Sequence, residues 1–577
     1  MKISAFEAAV VVALLGFLLG AGTLAIRQQS VTVDERAHLP AGVSYWQRLD
    51  ARMNLEHPPL LKALAALPVV IRSARADYSD PTWRQHDQWG FGEKFFSTWN
   101  RDAVSLLFSG RLMMLALVGL TALAAYRMGR ALGGPAGGML SLALVAASPF
   151  FLAYGPLVLT DVASAMFAVA TAWALASLWR QPTVARSLAF GGLLALAWLS
   201  KFATGLLLPA FAILLTMWTW RARRSGARVA DPWRATAAGL LVACAVVYLA
   251  YAALFWNSPA GELVGYRMAH STKPIPMVAD TAAFLTQHPA LDRAASPALL
   301  FSFGVGSTLR NAARPTWLLG HYYPAGTWQY FPVLFALKMT PVFLALCLAL
   351  LGLWAFRARR GERTLLPECG LHVEALLVTA ATFAAAAISS SINIGIRHFA
   401  VPVLTLAILN SLVPRMLKDV APRLSSRALH AIVGFLIALQ LGGAIAAYPD
   451  YISYFNFFTA GTPKYQIAID SNLDMGQTMP AIAAFAREHK LEAIGVDTYG
   501  TLPELYVPQA KPWRCDGPQQ ARPEWVAIGA TRLLSDQEGS AKDPAQGCLW
   551  LFQHPHWELA GGAAFAFHLP GPSGPGP

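Results

Sequence analysis

The run VSLLFSGRLMMLALVGLTALAAY, at residues 104–126, contains a single charged side chain, Arg111. A helix of about 20 apolar residues is long enough to cross the roughly 30 Å hydrocarbon core of a bilayer. Ten other apolar runs share this character, so we predict a polytopic α-helical membrane protein. The eleven predicted spans are 6–26, 104–126, 136–155, 161–179, 187–200, 202–220, 235–256, 331–355, 372–391, 397–414 and 428–447.

Two of these assignments have an alternative. The fifth and sixth spans could form one long run, because only Ser200 and Lys201 divide them. The first span could be read as a signal peptide, but its apolar core is longer than the core of a signal peptide. We therefore expect it to be an uncleaved span.

The composition agrees with a membrane protein and argues against a nucleic-acid-binding one. Hydrophobic residues make up 55% of the chain and charged residues 13%, whereas soluble domains are about 25% charged. The net charge of +13 is spread over short segments between apolar runs. No basic stripe or zinc-finger spacing is present, so we exclude nucleic acid as a partner.

The basic residues indicate how the spans are oriented. Short loops rich in Lys and Arg face the cytoplasm. If the N-terminus is cytoplasmic and the chain crosses eleven times, the basic loops all lie on the cytoplasmic side. The segments 27–103 and 257–330 and the tail from 448 then lie on the other side. The loop residues are Arg127, Arg130, Arg180, Arg186, Arg221, Arg223, Arg224, Arg228, Arg234, Arg357, Arg359, Arg360, Arg363, Arg415, Lys418, Arg423 and Arg427.

The chain is predicted to divide into a membrane domain, residues 1–447, and an extracytoplasmic tail, residues 448–577. From about residue 463 the tail has the pattern of an α/β domain, with a helix near 478–489. Its predicted strands are AIGVDTY, EWVAIGA and CLWLFQ. The last ten residues are rich in Pro and Gly, and we expect them to be disordered.

The cysteines divide between the same two regions. Cys244 and Cys347 lie in predicted spans, and Cys369 lies in a cytoplasmic loop. Cys515 and Cys548 lie in the tail, where an oxidising compartment favours a disulfide over two free thiols. We therefore predict that these two cysteines are joined.

Acidic residues mark the first extracytoplasmic segment. Asp34 and Glu35 stand together in VDERAHLP, residues 33–40. Carboxylates near lipid are costly and are therefore functional candidates, but these two could equally cap the helix that follows. Glu56 and His57 come next, in NLEHPPLLK at residues 54–62, where the Pro-Pro step interrupts any helix. The stretch LKALAALPVVI is too short to span and is predicted to lie along the interface.

A third acidic residue and several cations fall on the same side of the membrane. Asp161 begins the fourth span and could act as its N-cap. Lys201 lies between two apolar runs, Lys338 lies in FALKMTP, and Arg397 and His398 open the tenth span. A lone Lys near a span end usually snorkels to lipid phosphate. Together, these acids and bases indicate a site for an anionic lipid and a hydroxyl acceptor.

Six segments, in order along residues 5–490, resemble the bacterial relatives of the protein O-mannosyltransferases. These are C-fold (GT-C) glycosyltransferases that use polyprenyl-phosphate sugars. The chain departs from the family's pattern at two places. Tyr154 and Gly155 stand in a region where the family often has a His, and Met475 stands where it often has a Trp. These differences bear on the sugar and acceptor preference. The matching segments are DERAHLPAG (34–42), EHPPL (56–60), LTD (159–161), NIGIRH (393–398), AYPDYISYFN (447–456) and DSNLDMGQ (470–477).

The resemblance implies roles for these residues. Asp34 would be the catalytic base, with Glu35 and Asp161 orienting the base or the acceptor. Positive charge would stabilise the departing phosphate. Arg397 and His398 are the best candidates to supply it, followed by Lys201 and Lys338. The matching segments also make Glu56, His57, Asn472 and Asp474 candidates for substrate binding. Carboxylates could hold a divalent cation, Mg²⁺ or Mn²⁺, although no run of ligands requires one.

The resemblance predicts transfer of a sugar, with inversion, from a polyprenyl-phosphate donor to an acceptor hydroxyl at the outer face of a bacterial inner membrane. The acceptor could be a protein, a lipid or a glycan. A flippase or transporter of lipid-linked sugars is the alternative, but it would be expected to show internal repeats and mid-membrane charges. A scaffold is disfavoured by the paired acids. Convergence of Asp34, Asp161 and Arg397 on one cavity would separate these classes.

Overall fold

The structure is a computed structural model, and it describes residues 3–226, 229–271, 274–309, 313–361, 370–500, 502–516, 523–536 and 539–569. Arg228, Arg363, Cys369 and most of the Pro/Gly-rich end lie outside these ranges. Within them, nine helices are long and apolar enough to cross a membrane, and the predicted polytopic fold is confirmed. They are Ala5–Ile26, Ala103–Ala146, Asp161–Arg180, Phe202–Arg224, Ala230–Leu254, Pro341–Arg359, Gly370–Ser389, Ile396–Val420 and Ser426–Ala446.

The predicted spans match these helices with three differences. Residues 104–126 and the first part of 136–155 belong to one element, Ala103–Ala146, which is interrupted where Gly134 takes a φ of 71° before Pro135. The fifth predicted span forms the shorter apolar helix Val184–Ser200. The predicted span 331–355 is divided into Tyr330–Lys338 and Pro341–Arg359, because Pro341 cannot donate the backbone hydrogen bond that would continue the first helix.

Two long helices approach each other closely through small residues. A Cβ atom on Gly133 would lie 1.8 Å from the backbone oxygen of Ser411, and one on Gly137 would lie 2.4 Å from it. Small residues four positions apart allow membrane helices to pack backbone against backbone. Other side chains of the spans, such as Leu241 and Leu348, are more than 70% exposed, as expected of surfaces that face lipid.

The segments between the spans are largely helical. The first, 27–103, contains Val33–Arg48 and Leu60–Ile71, and the second, 257–330, contains Ala260–Ala269, Pro276–Thr286 and Pro289–Leu309. These helices lie over one end of the membrane bundle. The remaining elements are the helices Pro81–Arg84 and Gln88–Lys94, the π-helical turn Phe95–Trp99, the short helix Pro149–Tyr154, and the antiparallel strands β1 (Thr316–Leu318) and β2 (His321–Tyr323).

The tail folds as a small α/β unit with a five-stranded sheet in the order β4-β3-β5-β7-β6. Strand β3 runs parallel to β4 and β5, whereas β7 is antiparallel to β5 and β6. The helix Met479–Glu488 packs against this sheet. The strands are β3 (Ile494–Asp497), β4 (Ala510–Pro512), β5 (Trp525–Gly529), β6 (His556–Leu559) and β7 (Ala564–His568).

One strand predicted in the tail is wrong. CLWLFQ forms the 3₁₀ helix Leu549–Gln553, and the strand that follows begins at His556. Short apolar runs do not distinguish a strand from another buried element by periodicity alone. Cys548, just before this helix, forms a disulfide with Cys515, with their Cα atoms 6.0 Å apart.

The segment DSNLDMGQ, residues 470–477, connects the tail to the membrane domain. Ser30 donates its hydroxyl to the carbonyl of Gly476 at 2.6 Å, and the backbone N–H of Val33 donates to the carbonyl of Met475 at 3.0 Å. The hydroxyl of Tyr154 donates to the carbonyl of Ser471 at 2.8 Å. The tail is thereby fixed against the start of the helix that carries Asp34.

Candidate active site

A cavity of about 1920 Å³ lies where segments 27–103 and 257–330 cover the membrane bundle. One end of it is lined by charged and polar side chains that were predicted from the sequence: Asp34, Glu56, His57, Asp161, Lys201, Arg397 and His398. Apolar side chains line another part of the cavity and include Phe202, Leu206, Leu285, Phe303 and Phe383. The cavity can therefore hold a ligand with one polar and one apolar part.

Asp34 lies in the first turn of the helix Val33–Arg48, with 26% of its side chain exposed. Its carboxylate accepts a hydrogen bond from Nη1 of Arg397 at 2.5 Å. Burial alone would raise the pKa of Asp34, but the guanidinium of Arg397 outweighs it and lowers that pKa to about 2. Asp34 is therefore ionised, and in this state its charge is held by Arg397.

Asp161 organises the two cations of the site. It is the first residue of the helix Asp161–Arg180, and one carboxylate oxygen accepts a hydrogen bond from Nζ of Lys201. Its other oxygen lies 3.8 Å from Nη1 of Arg397. This carboxylate is thus an ion-pair partner, which departs from the N-cap alternative.

A break in the chain directs Lys201 into the cavity. The helix Val184–Ser200 ends there, Lys201 is extended with φ −158° and ψ 132°, and the 3₁₀ turn Phe202–Leu206 follows. Ser200 and Lys201, the polar pair that interrupts the apolar run in the sequence, therefore mark the end of a helix. This break places a cation beside Asp161 at the end of the membrane bundle.

Arg397 is positioned by residues of the tail segment. It lies in the 3₁₀ turn Ile396–Phe399, whose first N–H donates to the side chain of Asn472 at 2.9 Å. Ser471 donates its hydroxyl to the carbonyl of Ile394 at 2.5 Å, and a Cβ on Gly395 would lie 1.9 Å from that hydroxyl oxygen. Asn472 does not line the cavity, so it acts through the position of Arg397, contrary to its predicted role in substrate binding.

Glu35 also lies outside the cavity, and its predicted catalytic role does not fit the structure. It is fully buried and pairs with Arg111, whose Nε and Nη2 donate to it at 2.8 and 2.5 Å. It also accepts from the backbone and hydroxyl of Thr32 and from the N–H of Val158. Glu35 is the acidic member of a capping box, which confirms the alternative interpretation for this residue.

Lys338 and Asp474 are two further predicted binding residues that hold the fold together instead. Nζ of Lys338 donates to the backbone oxygens of Ile452 and Asn472 at 2.7 and 2.5 Å. Asp474 accepts from the backbone N–H groups of Gly476 and Thr531, at 2.8 and 3.2 Å. Both side chains are buried, and neither lines the cavity.

Glu56 and His57, which the resemblance makes candidates for substrate binding, line the cavity. Burial and the neighbouring ring of His38 lower the pKa of His57 well below its usual range, so His57 is neutral at pH 7. The rings of His38 and His57 meet edge to face with their centres 5.3 Å apart. The loop that carries Glu56 and His57 is fixed by Lys62, which donates to the carbonyls of Asn54 and His57 at 2.7 and 2.8 Å.

Sequence reasoning missed several residues of the site. Arg36, His86, Tyr266, Arg267, Arg314 and Tyr499 line the cavity, and only Arg36 belongs to a quoted segment. Asp470 lies close to Arg397 and takes a φ of 59°. Burial raises the pKa of Asp470 to about 7. The unusual backbone of Asp470 is visible only in the structure.

The donor set at the cavity does not fit a divalent cation. Among the described residues, no group of three or more His, Cys, Asp or Glu side chains is placed to hold a metal ion. The carboxylates of Asp34 and Asp161 are instead paired with Arg397 and Lys201. We therefore derive no chemical step through Mg²⁺ or Mn²⁺.

Comparison with protein families supports the class indicated by the motifs. Residues 103–251 match the family described as dolichyl-phosphate-mannose-protein mannosyltransferase. The match is limited to this part of the chain, and it agrees with the resemblance to the mannosyltransferases that the motifs indicate. No curated protein sequence matches the chain.

Two solved structures are distantly similar. The oligosaccharyltransferase AglB from Archaeoglobus fulgidus, in complex with an inhibitory peptide and a dolichol-phosphate, has 14% identity, a TM-score of 0.45 and coverage of 78% of this chain. The chain spans 55% of the length of AglB. ArnT from Cupriavidus metallidurans, in the apo state, has 13% identity and a TM-score of 0.44, with 91% of this chain and 94% of that one covered.

Proposed function

We propose that the chain is a glycosyltransferase that moves a sugar from a polyprenyl-phosphate carrier to an acceptor hydroxyl at the extracytoplasmic face of the membrane. One observation carries this proposal. Asp34, Asp161 and Arg397, which are far apart in the sequence, meet in one cavity that also has an apolar wall. Such a cavity suits a donor with a charged head and a hydrocarbon tail.

The carrier phosphate is assigned to Arg397 and Lys201. Both cations line the cavity, and Nε of Arg397 is buried with no hydrogen-bond partner among the described residues. A planar guanidinium with a free N–H is well suited to phosphate oxygens. The polyprenyl chain would then lie along the apolar wall that contains Phe202, Leu206 and Phe383.

Asp34 is assigned as the base. The acceptor oxygen forms a bond to the anomeric carbon, the carbon–oxygen bond to phosphate breaks, and its electron pair leaves with the phosphate. The acceptor proton passes to Asp34. Asp34 accepts a hydrogen bond from Arg397 at 2.5 Å, and a carrier phosphate would compete for the same guanidinium and free the carboxylate.

The cations assist the departure of the phosphate. Arg397 and Lys201 place positive charge where negative charge develops on the leaving group. Asp161 keeps both cations in place through its two carboxylate oxygens. A single displacement of this kind inverts the configuration at the anomeric carbon.

The distribution of ion pairs supports an extracytoplasmic site. Asp161 begins the helix that ends at Arg180, so the cavity and the basic loops lie at opposite ends of the same span. Arg130 pairs with Glu7 near the start of the first span, and Arg221 pairs with Glu374 near the start of another. By the positive-inside rule this basic end is cytoplasmic, in what we propose is a bacterial inner membrane.

The Asp34→Asn variant tests the proposal. An amide keeps the shape of the carboxylate and cannot take the proton, so we expect transfer to fall about 10²- to 10⁴-fold. Asp77→Asn is the matched control, because Asp77 is an exposed carboxylate of the same segment outside the cavity. The measurement is transfer of radiolabel from polyprenyl-phosphate sugars in membranes of a deletion strain, followed by fractionation of the products. Near-wild-type transfer by the Asn variant would remove Asp34 from this role, and passage of the intact donor across the bilayer would favour the flippase.

A further inference from the structure

A second group of basic side chains, two arginines and a histidine, lines the cavity apart from Arg397 and Lys201. We call Arg36, His86 and Arg267 the outer basic cluster. Arg36 lies in the helix Val33–Arg48, His86 precedes the helix Gln88–Lys94, and Arg267 belongs to the helix Ala260–Ala269. The cluster therefore joins the two segments that cover the membrane bundle.

Four side-chain nitrogens of the outer basic cluster are buried and, within the described part of the chain, unpaired. Among the described residues, Nε of Arg36, Nδ1 of His86, and Nε and Nη2 of Arg267 have no hydrogen-bond partner. A buried polar group without a partner is costly and calls for an explanation. The fold avoids this cost at its structural arginine, because Arg111 is saturated by Glu35 and three backbone carbonyls.

Within the part of the chain that the structure describes, neither guanidinium group forms an ion pair with a carboxylate. Asp87 and Glu93 attract Arg36 at longer range, but within the described part of the chain neither forms an ion pair with it. The carboxylate of Asp87 is occupied by the N–H groups of Trp89 and Gly90, each at 3.0 Å. The cluster therefore carries net positive charge toward the cavity.

Aromatic rings hold the cluster and add flat surfaces beside it. The guanidinium of Arg36 lies 5.4 Å from the centre of the Trp89 ring. The rings of His86 and Tyr266 are 3.9 Å apart, and the hydroxyl of Tyr266 donates to the carbonyl of Gln85 at 2.8 Å. Trp89 also lines the cavity, so it offers apolar surface of the kind that packs against a sugar ring.

We propose that the outer basic cluster binds an anionic group, a phosphate or a carboxylate, on a saccharide acceptor. This rests on the proposed function, in which Arg397 and Lys201 already hold the carrier phosphate. An acceptor with a hydroxyl near Asp34 and an anionic group at Arg36 and Arg267 would satisfy the buried donors that a neutral acceptor leaves unpaired. The inferred acceptor class is an acidic or phosphorylated glycan.

Binding without turnover tests this inference. The full chain in nanodiscs of phosphatidylcholine is dialysed against radiolabelled glucose 6-phosphate, glucuronate, glucose or an acidic peptide, with and without saturating undecaprenyl phosphate. We expect both anionic sugars to bind at least about tenfold more tightly than glucose, since charged hydrogen bonds are worth about tenfold or more. Arg36→Gln and Arg267→Gln should each weaken binding of glucose 6-phosphate by about tenfold or more. Arg293→Gln, an exposed arginine in segment 257–330 outside the cavity, should not.

Three results would overturn the inference: equal binding of glucose, displacement of glucose 6-phosphate by undecaprenyl phosphate, or unchanged binding by both variants. Tighter binding of an acidic peptide than of either anionic sugar would also overturn it, in favour of a peptide acceptor. Retained binding of undecaprenyl phosphate shows that each variant is folded. This experiment measures binding and not transfer, so a failure to bind anionic sugars would leave the role proposed for Asp34 untouched. Conversely, full activity of Asp34→Asn would overturn the proposed base without changing the binding result.

Discussion

The Glu35→Gln substitution should separate folding from catalysis at two adjacent carboxylates. Glu35 receives five hydrogen bonds, two of them from Arg111, and both side chains are almost completely buried. Gln replaces one carboxylate oxygen with an amide that turns its own hydrogens toward these donors, and it leaves the guanidinium of Arg111 uncompensated. Removing one partner of a buried ion pair costs about 3–5 kcal/mol.

The assay is unfolding of the purified full chain in detergent micelles, followed by tryptophan fluorescence, beside the transfer assay. Glu35→Gln should lose about 3–5 kcal/mol of stability. Asp34→Asn should lose less stability, because Asp34 is 26% exposed and Arg397 keeps Asp161 as a partner, and it should lose transfer. The double variant Glu35→Gln/Arg111→Met should recover only part of the loss, because Arg111 also donates to the carbonyls of Ile26, Gln29 and Ser30. If Glu35→Gln unfolds like wild type but is inactive, Glu35 is part of the catalytic machinery and the capping interpretation is wrong.

Two other predictions concern the donor site and the tail. Arg397→Ala should raise the KM for the donor with little change in acceptor binding, and Arg397→Lys should restore it only in part, because Lys lacks the planar fork; unchanged donor kinetics in both would make Arg397 a packing residue. Mass analysis of non-reduced protein should find Cys515 joined to Cys548, a link that stabilises the tail by about 3–4 kcal/mol in the chain-entropy model. A maleimide that cannot cross the membrane should label the two tail cysteines only after reduction, and labelling of Cys369 in intact cells would invert the proposed orientation.

The membrane part of the fold could be predicted because the length of an apolar run is set directly by the thickness of the bilayer. Ten of the eleven runs coincide with helices that the structure assigns over most of their length. The exception, 136–155, ends as a span at Ala146, and Pro149 begins a separate short helix. Ser148 and Pro149 mark this break in the sequence, because the residue before a proline disfavours the helical conformation.

The candidate site was predicted in part. Asp34, Asp161, Lys201 and Arg397 could be proposed because charged residues at span ends are costly and need partners. The sequence did not indicate which charges face the cavity. Glu35 is next to Asp34, yet it is directed into the protein, where it pairs with Arg111.

Arg111 illustrates a signal that was present and not used. It is the one charged residue in the run 104–126, and a charge inside a span requires a buried partner. That requirement could have assigned Glu35 to a structural ion pair. The outer basic cluster gave no comparable signal, because His86 and Arg267 are ordinary loop and helix residues in the sequence.

The most direct test of the account is single-turnover transfer by the purified chain. The full chain in liposomes is mixed with radiolabelled polyprenyl-phosphate sugars and an extract of acceptors, and both the labelled product and the released polyprenyl phosphate are measured over time. We predict that the two products appear together with wild-type protein and with Asp77→Asn, and that both are lost with Asp34→Asn. The assignment of this cavity as the site of sugar transfer would be contradicted if wild-type protein released neither product from any of the polyprenyl-phosphate sugars. It would also be contradicted if the Asp34→Asn variant released both products as wild type does.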